Sequence, residues 1–305
     1  MPELPEVETV REGLAGHVLH RSIVAVDVHG AGLGQRILRH QAGGVDELRG
    51  RMLGRAFGAV VRRGKFLWLP LLQEGESCGE ALLAHLGMSG QFLLPEQPGQ
   101  HRQLRVRTTF ADGGVLDFHD QRTFGYLTVT DLEPTADGGA GGHGDPAPEL
   151  PAPAAHIGRD LLDPLRALGS DGREELVRRI RGSRRGIKAL LLDQTLVSGI
   201  GNIYADEALW RARVHYAQAG ASITRARVQR LLDSATEVLA EALAAGGTSF
   251  DSLYVNVNGA SGYFERSLEV YGREGQRCSR CGALIRRAAF MNRSSHFCPR
   301  CQRKG

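Results

Sequence analysis

The chain opens Met1-Pro2-Glu3-Leu4-Pro5-Glu6. Proline at position 2 is a good context for removal of Met1, which leaves a secondary amine at the chain start. An α-amino group has a reference pKa of about 7.7–8.0 against about 10.4 for lysine, so at neutral pH it is unprotonated roughly hundreds of times more often. A secondary amine attacking an aldehydic carbon gives an iminium ion, already cationic and a good electron sink. Glu3 follows directly and could protonate a sugar ring oxygen. Glu6 lies three residues on, on the same helical face, where a carboxylate can hold the amine or its neighbours. Proline and glutamate are also ordinary first-turn residues, and the opening alone leaves both readings open.

A second constellation closes the chain. Cys278-x2-Cys281 and Cys298-x2-Cys301 are separated by sixteen residues. Each pair offers two thiolates to one tetrahedral ion, and the intervening segment is long enough for a β-hairpin that brings the pairs together. Four thiolates leave no open position, so the pattern predicts one structural Zn2+ and no catalytic metal. Disulfides do not suit the expected cytoplasmic setting, and no thioredoxin-like context surrounds the pairs. The fifth cysteine, Cys78, sits in a polar stretch and reads as a bystander.

Charge sharpens the picture. The net charge of the 305 residues is only +4, but 271–305 holds nine Lys/Arg against Glu274, and 173–188 holds seven against Glu174 and Glu175. Such blocks suit a polyanion, or are plain solvated surface. Hydrophobic residues at 42% and charged at 24% are ordinary for a soluble globular protein. No run resembles a membrane span, and acids stand where a signal peptide carries bases. A cytoplasmic protein of two or more domains is expected.

The elements that must position these groups are legible in part. Leu4, Val7, Val10 and Leu14 recur at helical spacing, which predicts a first helix over 3–15. Alternation at Val24, Val26 and Val28, and from Leu104 to Phe110, predicts strands. Apolar runs at 66–72, 81–86 and 92–94, bounded by glycines, complete a β-rich domain, read as a sandwich closed by the first helix. Residues 133–155, sixteen of them Gly, Pro or Ala, read as a linker or surface insertion. Beyond it, Leu190, Leu191 and Leu196 predict one helix, Ile203, Leu209 and Trp210 the next, and Thr224 caps a longer one. The two-glycine turn 198–202 between them could present N–H groups to phosphate, or be an ordinary helical hairpin.

Seven stretches in order carry a resemblance: MPELPEVETV, RRGKFLW (62–68), HLGMSG (85–90), DQRTFG (120–125), GIGNIYADE (199–207), SGYFERSLEVYGR (261–273) and the four-cysteine terminus. Together they resemble bacterial formamidopyrimidine-DNA glycosylase over nearly the whole chain. The resemblance implies an α+β fold: a catalytic N-terminal β-sandwich with an N-terminal helix (1–132), the insertion (133–155), a helical helix–two-turn–helix domain (156–262) and a zinc-finger β-hairpin (263–305). It implies a monomeric glycosylase/AP lyase acting on damaged double-stranded DNA. By this likeness Pro2 is the nucleophile, Glu3 the acid/base carboxylate, and Glu6 a second active-site carboxylate. Lys65 matches a lysine that contacts phosphate and assists β-elimination, and Arg293 one linked to phosphate and δ-elimination. Met88, Arg122 and Phe124 match the residues that fill the hole left by a flipped base. Asn202 and His101 match DNA contacts, Lys188 is expected to contact phosphate as well, and 248–263, ending at Tyr263, matches the loop over the extruded base.

Departures from the family pattern are local. Gln121 stands where proline is common, Thr123 where a basic residue is common, and Ser183 or Arg184 aligns ambiguously with a DNA-contacting lysine. Two rivals stand beside this reading: an endonuclease VIII-type enzyme for oxidised pyrimidines, and a non-enzymatic zinc-ribbon protein that needs no free N-terminus.

Overall fold

The computed structural model describes residues 2–30, 32–167, 169–247 and 267–304. They form two compact units, 2–156 and 157–247 with 267–304, so the helices and the zinc hairpin share the second unit.

In the first unit, α1 (Leu4–Ala15) starts with proline in its first turn and buries Leu4, Val7, Val10 and Leu14 along one stripe. Three strands, β1 (Ile23–Val28), β7 (Leu104–Phe110) and β8 (Val115–Asp120), join β6 (Gly90–Leu93) in an antiparallel sheet ordered β1-β7-β8-β6. The second sheet runs β10-β9-β5-β4-β2, with β3 also paired to β4. Its strands are β2 (Ala56–Phe57), β3 (Val61–Arg63), β4 (Phe66–Gln73), β5 (Glu76–His85), β9 (Tyr126–Pro134) and β10 (Glu149–Pro151). One apolar core joins α1 to both inner faces, including Leu67, Leu69 and Leu82 from one sheet and Val106, Phe110 and Phe118 from the other. Phe57 meets Phe110 edge-on across it, with ring centroids 6.3 Å apart. Two short helices that the periodicity does not announce, α2 (Leu33–Ile37) and α3 (Gly44–Met52), add Ile37, Leu48 and Met52 to this core.

The Gly-rich segment 133–155 is not a free linker. Strand β9 runs on to Pro134, β10 pairs back on it, and the segment between lies on the sheet. His143 and Arg62 exchange two backbone hydrogen bonds of 2.8 and 2.9 Å. A Cβ on Gly142 would sit 2.4 Å from the Arg62 carbonyl oxygen and 2.7 Å from the Trp68 ring, so the low-complexity composition reflects close approach.

The second unit holds α4 (Asp171–Arg181), α5 (Ile187–Leu191), α6 (Asn202–Arg211) and α7 (Arg225–Ala244). Ser170 and Thr224 cap α4 and α7 by accepting from the N–H groups of Arg173 and Arg227. Leu196 lies beyond α5, in the turn leading to α6. Strands β11 (Arg286–Phe290) and β12 (Arg293–Phe297) form the C-terminal hairpin, and β12 packs on α6.

Candidate active site and nucleic-acid interface

Pro2, Glu3 and Glu6 are all buried at the start of α1. The Glu6 Oε2 accepts a 2.8 Å hydrogen bond from the Glu3 backbone N–H, so the third helical residue folds back onto the chain start. One turn further, buried Glu8 accepts from Arg62 Nε at 2.5 Å and from Arg11 Nε at 2.6 Å. Arg62 lies on β3, and the tight turn from β3 to β4 carries Gly64 and Lys65. The ion pair therefore ties the helix that begins with Pro2 to the hairpin that carries Lys65. Lys65 is itself buried, and its charge is felt by His85 on the neighbouring β5. Burial first, then the positive charges of Lys65 and Arg39, push the His85 imidazole down to about 4. A neutral ring suits the contact it makes, because His85 Nδ1 accepts from the Gly87 N–H at 3.0 Å.

Met88 stands in the turn after β5, and Arg122 and Phe124 stand in the loop after β8. The two apolar side chains are exposed, Met88 by 40% and Phe124 by 49%, where a structural role would bury them. The Arg122 guanidinium lies 5.0 Å from the Phe124 ring centre. A Cβ on Gly87 would lie 2.3 Å from the Phe124 carbonyl carbon, so the two loops touch at their backbones. His101 is exposed, and its ring stacks on His119 at 4.9 Å.

In the second unit, Asn202 is the first residue of α6. Its Oδ1 is buried without a hydrogen-bond partner among the described residues, at the end of a helix where N–H groups converge. Arg293 is exposed at the first position of β12, beside the hairpin turn. Lys188, expected to contact phosphate, has partners within its own unit. It is 0% exposed, pairs with Asp206 Oδ1 at 2.7 Å, and donates to the Ser294 carbonyl and Ser295 Oγ. A lysine buried this deeply needs its carboxylate partner. Asp206 Oδ2 also accepts the His296 N–H at 2.8 Å, and adjacent Glu207 accepts from the N–H groups of Glu269, Val270 and Tyr271. Burial raises the Glu207 pKa, although those three N–H groups oppose it. These two acids fasten the hairpin and the 269–271 turn to α6. They lie within GIGNIYADE, but nothing in their spacing announces the job. Tyr263 and the segment 248–263 lie outside the described residues.

The four cysteine sulfurs lie within 4.8 Å of one another, with Cys278 and Cys298 buried. The Trp210 Nε1–H donates to Cys278 Sγ at 3.4 Å. Burial raises the Cys278 thiol, but this bond and the Arg280 and Cys281 N–H groups bring it down to about 7. Burial and the crowding of Cys281 and Cys298 push Cys301 up to about 12. Four soft donors in so small a space fit one Zn2+, whose charge would let all four ionise together.

Comparison with known proteins agrees with this arrangement. Residues 1–127 match the formamidopyrimidine-DNA glycosylase N-terminal domain, 163–253 its H2TH domain, and 275–303 the zinc finger found in FPG and IleRS. Formamidopyrimidine-DNA glycosylase of Mycobacteroides abscessus is 54% identical over 304 residues, covering 99% of this chain and 98% of that protein. The same enzyme of Kineococcus radiotolerans is 52% identical over 309 residues, covering 99% and 97%. The Lactococcus lactis Fpg in complex with abasic-site DNA superposes with a TM-score of 0.79 at 28% identity, covering 99% of this chain and 100% of that one. A variant of that enzyme with Fapy-dG DNA gives 0.80 at 29%, with the same coverage. Fold and site thus define a DNA-repair glycosylase with a structural zinc finger. The chain belongs to the formamidopyrimidine-DNA glycosylase family, whose members are glycosylase/AP lyases of base excision repair. Among the described residues no helix is long and apolar enough to cross a membrane.

Proposed function

We propose that this protein binds damaged duplex DNA, flips an oxidised purine out of the stack, and removes it through a Schiff base on Pro2. The carrying observation is the chain start: Pro2 beside buried Glu3, Glu6 closed onto the Glu3 N–H, and α1 tied through Glu8 and Arg62 to the hairpin of Lys65. Once Met1 is removed, the proline nitrogen attacks C1′ of the everted nucleotide and the base departs with its bonding electrons. The nitrogen gives up its proton, which the departing base takes up, and Glu3 protonates the ring oxygen as the C1′–O bond breaks, leaving an iminium ion. The iminium acidifies the C2′ hydrogen. Its loss breaks the C3′–O bond, and a second elimination breaks the C5′–O bond, leaving a gap flanked by phosphates. Lys65 assists the first elimination and Arg293 the second. Met88, Arg122 and Phe124 fill the vacated space, with Arg122 available to the orphaned partner base, which offsets part of the few kcal/mol that extrusion costs.

The substrates supported best are 8-oxoguanine opposite cytosine and formamidopyrimidines. The apolar, guanidinium-bearing wedge and the Pro-Glu-Leu-Pro-Glu opening favour purine lesions over the pyrimidine lesions of an endonuclease VIII-type enzyme. Cutting rates on 8-oxoguanine and thymine glycol duplexes test the choice: faster cutting of thymine glycol would reverse it. A protein acting only as a zinc-ribbon binder would keep its function after Pro2→Gly, which here is expected to abolish base release. A monomer and four functional regions, 1–132, 133–155, 156–262 and 263–305, complete the proposal.

A further inference from the structure

The loop that carries Arg122 and Phe124 has no regular structure of its own, yet it is held in one shape. Asp120, the last residue of β8, is 0% exposed and points its carboxylate into the loop. Its Oδ1 accepts from Ser89 Oγ at 2.6 Å, the Arg122 N–H at 3.1 Å and the Thr123 N–H at 3.0 Å, and its Oδ2 from the Gly125 N–H at 2.7 Å. Ser89 Oγ in turn accepts from the Arg122 N–H at 3.1 Å, and Ser89 is the neighbour of Met88. From the outside, Arg39 donates to the Phe124 carbonyl at 2.9 Å and to the Gly125 carbonyl at 2.6 Å. Thr123 sits at φ +54°, a left-handed conformation that a β-branched residue adopts only under compulsion.

We propose that Asp120 and Arg39 are positioning residues for base eversion: they hold Arg122 and Phe124 erect, in register with Met88, before DNA arrives. The inference rests on the reading of Met88, Arg122 and Phe124 as the residues that fill the vacated base position. An exposed wedge that must collapse on itself or reorder at each encounter spends part of its interaction with DNA on ordering. An exposed aromatic ring also prefers to fold down onto its own loop. The two loops are prevented from doing so by one carboxylate beneath and one guanidinium outside. The demand on Asp120 is chemically specific, because both oxygens must accept. Asparagine keeps the shape but turns one oxygen into a donor that faces an N–H or hydroxyl donor. Asp120→Asn therefore loosens the wedge without opening a cavity, and Arg39→Ala removes the two carbonyl contacts together with the guanidinium over the Tyr126 ring.

The test is single-turnover release of 8-oxoguanine from a duplex by the full-length, zinc-loaded protein. Wild type is compared with Asp120→Asn, Arg39→Ala, Phe124→Ala and the double variant Arg39→Ala/Phe124→Ala, each checked by thermal melting. Base release is expected to fall about tenfold for Asp120→Asn and about threefold for Arg39→Ala, in line with the loss of preorganised contacts to the transition state. Melting of Arg39→Ala should match wild type, so that variant carries the test if Asp120→Asn does not fold. With Phe124→Ala already present, Arg39→Ala should slow release by clearly less than its own threefold, because part of its effect runs through the ring. Wild-type release by both positioning variants alongside slow release by Phe124→Ala overturns the proposal and leaves the wedge reading standing. Additive losses in the double variant also overturn it. Wild-type release by Phe124→Ala removes the wedge reading and the inference together.

Discussion

His143 Nδ1 lies 2.8 Å from the Glu8 carboxylate, joining residues 135 positions apart and fastening the Gly-rich segment to α1. Glu8 is thus a hub for Arg11, Arg62 and His143. Only His143 is open to solvent, with 63% of its side chain exposed against 1% for Glu8 and 2% for Arg62. The pairs should differ in weight accordingly. Glu8→Gln removes the charge that a buried guanidinium faces and should cost about 3–5 kcal/mol, whereas His143→Ala should cost under about 1 kcal/mol. Denaturant unfolding checks both. Equal losses would show that the exposed His143 contact holds α1 as strongly as the buried ion pair does.

Acid should weaken the first unit in two windows. His85 titrates near 4 in the fold against 6.5 unfolded, so the unfolded chain binds the proton first. The stability it contributes is full above pH 6.5 and is lost as pH falls towards 4. Between pH 7.5 and 5.5 the loss should be about 1 kcal/mol. Protonation also displaces the Gly87 N–H from Nδ1, beside the turn that carries Met88. Glu8 acts lower. Burial pushes its carboxyl up, but the charges and hydrogen bonds of Arg62 and Arg11 outweigh burial and hold it below its ordinary 4.5. Its contribution is present above pH 4.5 and disappears as pH falls through the lower folded value. Melting curves across pH 4–8 should show the upper window in wild type and not in His85→Asn; an unchanged slope in that variant would rule out this ring as the source.

Lys188 and Arg293 should separate cleanly in DNA binding. An exposed phosphate contact contributes about one unit to the salt slope of log K. Arg293→Ala should reduce that slope by about 1. Lys188→Met should leave it unchanged but loosen the hairpin, read as faster amide exchange at 293–297, because Asp206 loses its buried partner. A smaller slope in Lys188→Met would restore the phosphate contact to Lys188.

Zinc removal should undo the second unit's hairpin and spare the sandwich. The cluster of Trp210, Val270, Ile285 and the buried cysteines is small, and a four-thiolate site folds with its metal. Chelation should abolish DNA binding while the first unit's melting transition persists. Reloading should restore binding with release of protons, since thiols such as Cys301, pushed up to about 12, ionise only on the metal. Binding that survives chelation would contradict a structural role for the ion.

Much of this was legible in the sequence because it is local or chemically unmistakable. The 3.6-residue stripe of α1, the alternation of β1 and β7 and the Thr224 cap are short-range patterns, and C-x2-C pairs admit few other uses. Other parts depend on long-range partners that no spacing encodes. Asp120 resembles any strand-end acid until Ser89, thirty-one positions earlier, is seen to donate to it. Lys188 reads as a surface cation within a basic block, and only the fold brings Asp206 and Ser295 around it. The 133–155 segment reads as loose because glycine signals freedom and close packing alike, and the Arg62 and Trp68 surfaces decide between them. Helix α4 hides within a basic block, although Ser170 caps it and Leu176, Val177 and Ile180 recur at helical spacing.

The central claim is that the bare proline nitrogen at the chain start becomes bonded to the sugar of an everted nucleotide. Borohydride reduction during reaction with an 8-oxoguanine duplex, followed by peptide mapping, tests it directly on protein shown by intact mass to lack Met1. One covalent DNA adduct on Pro2 is expected, absent when Met1 is retained and the proline nitrogen is an amide. No adduct, or an adduct on Lys65 or any other amine, would contradict it.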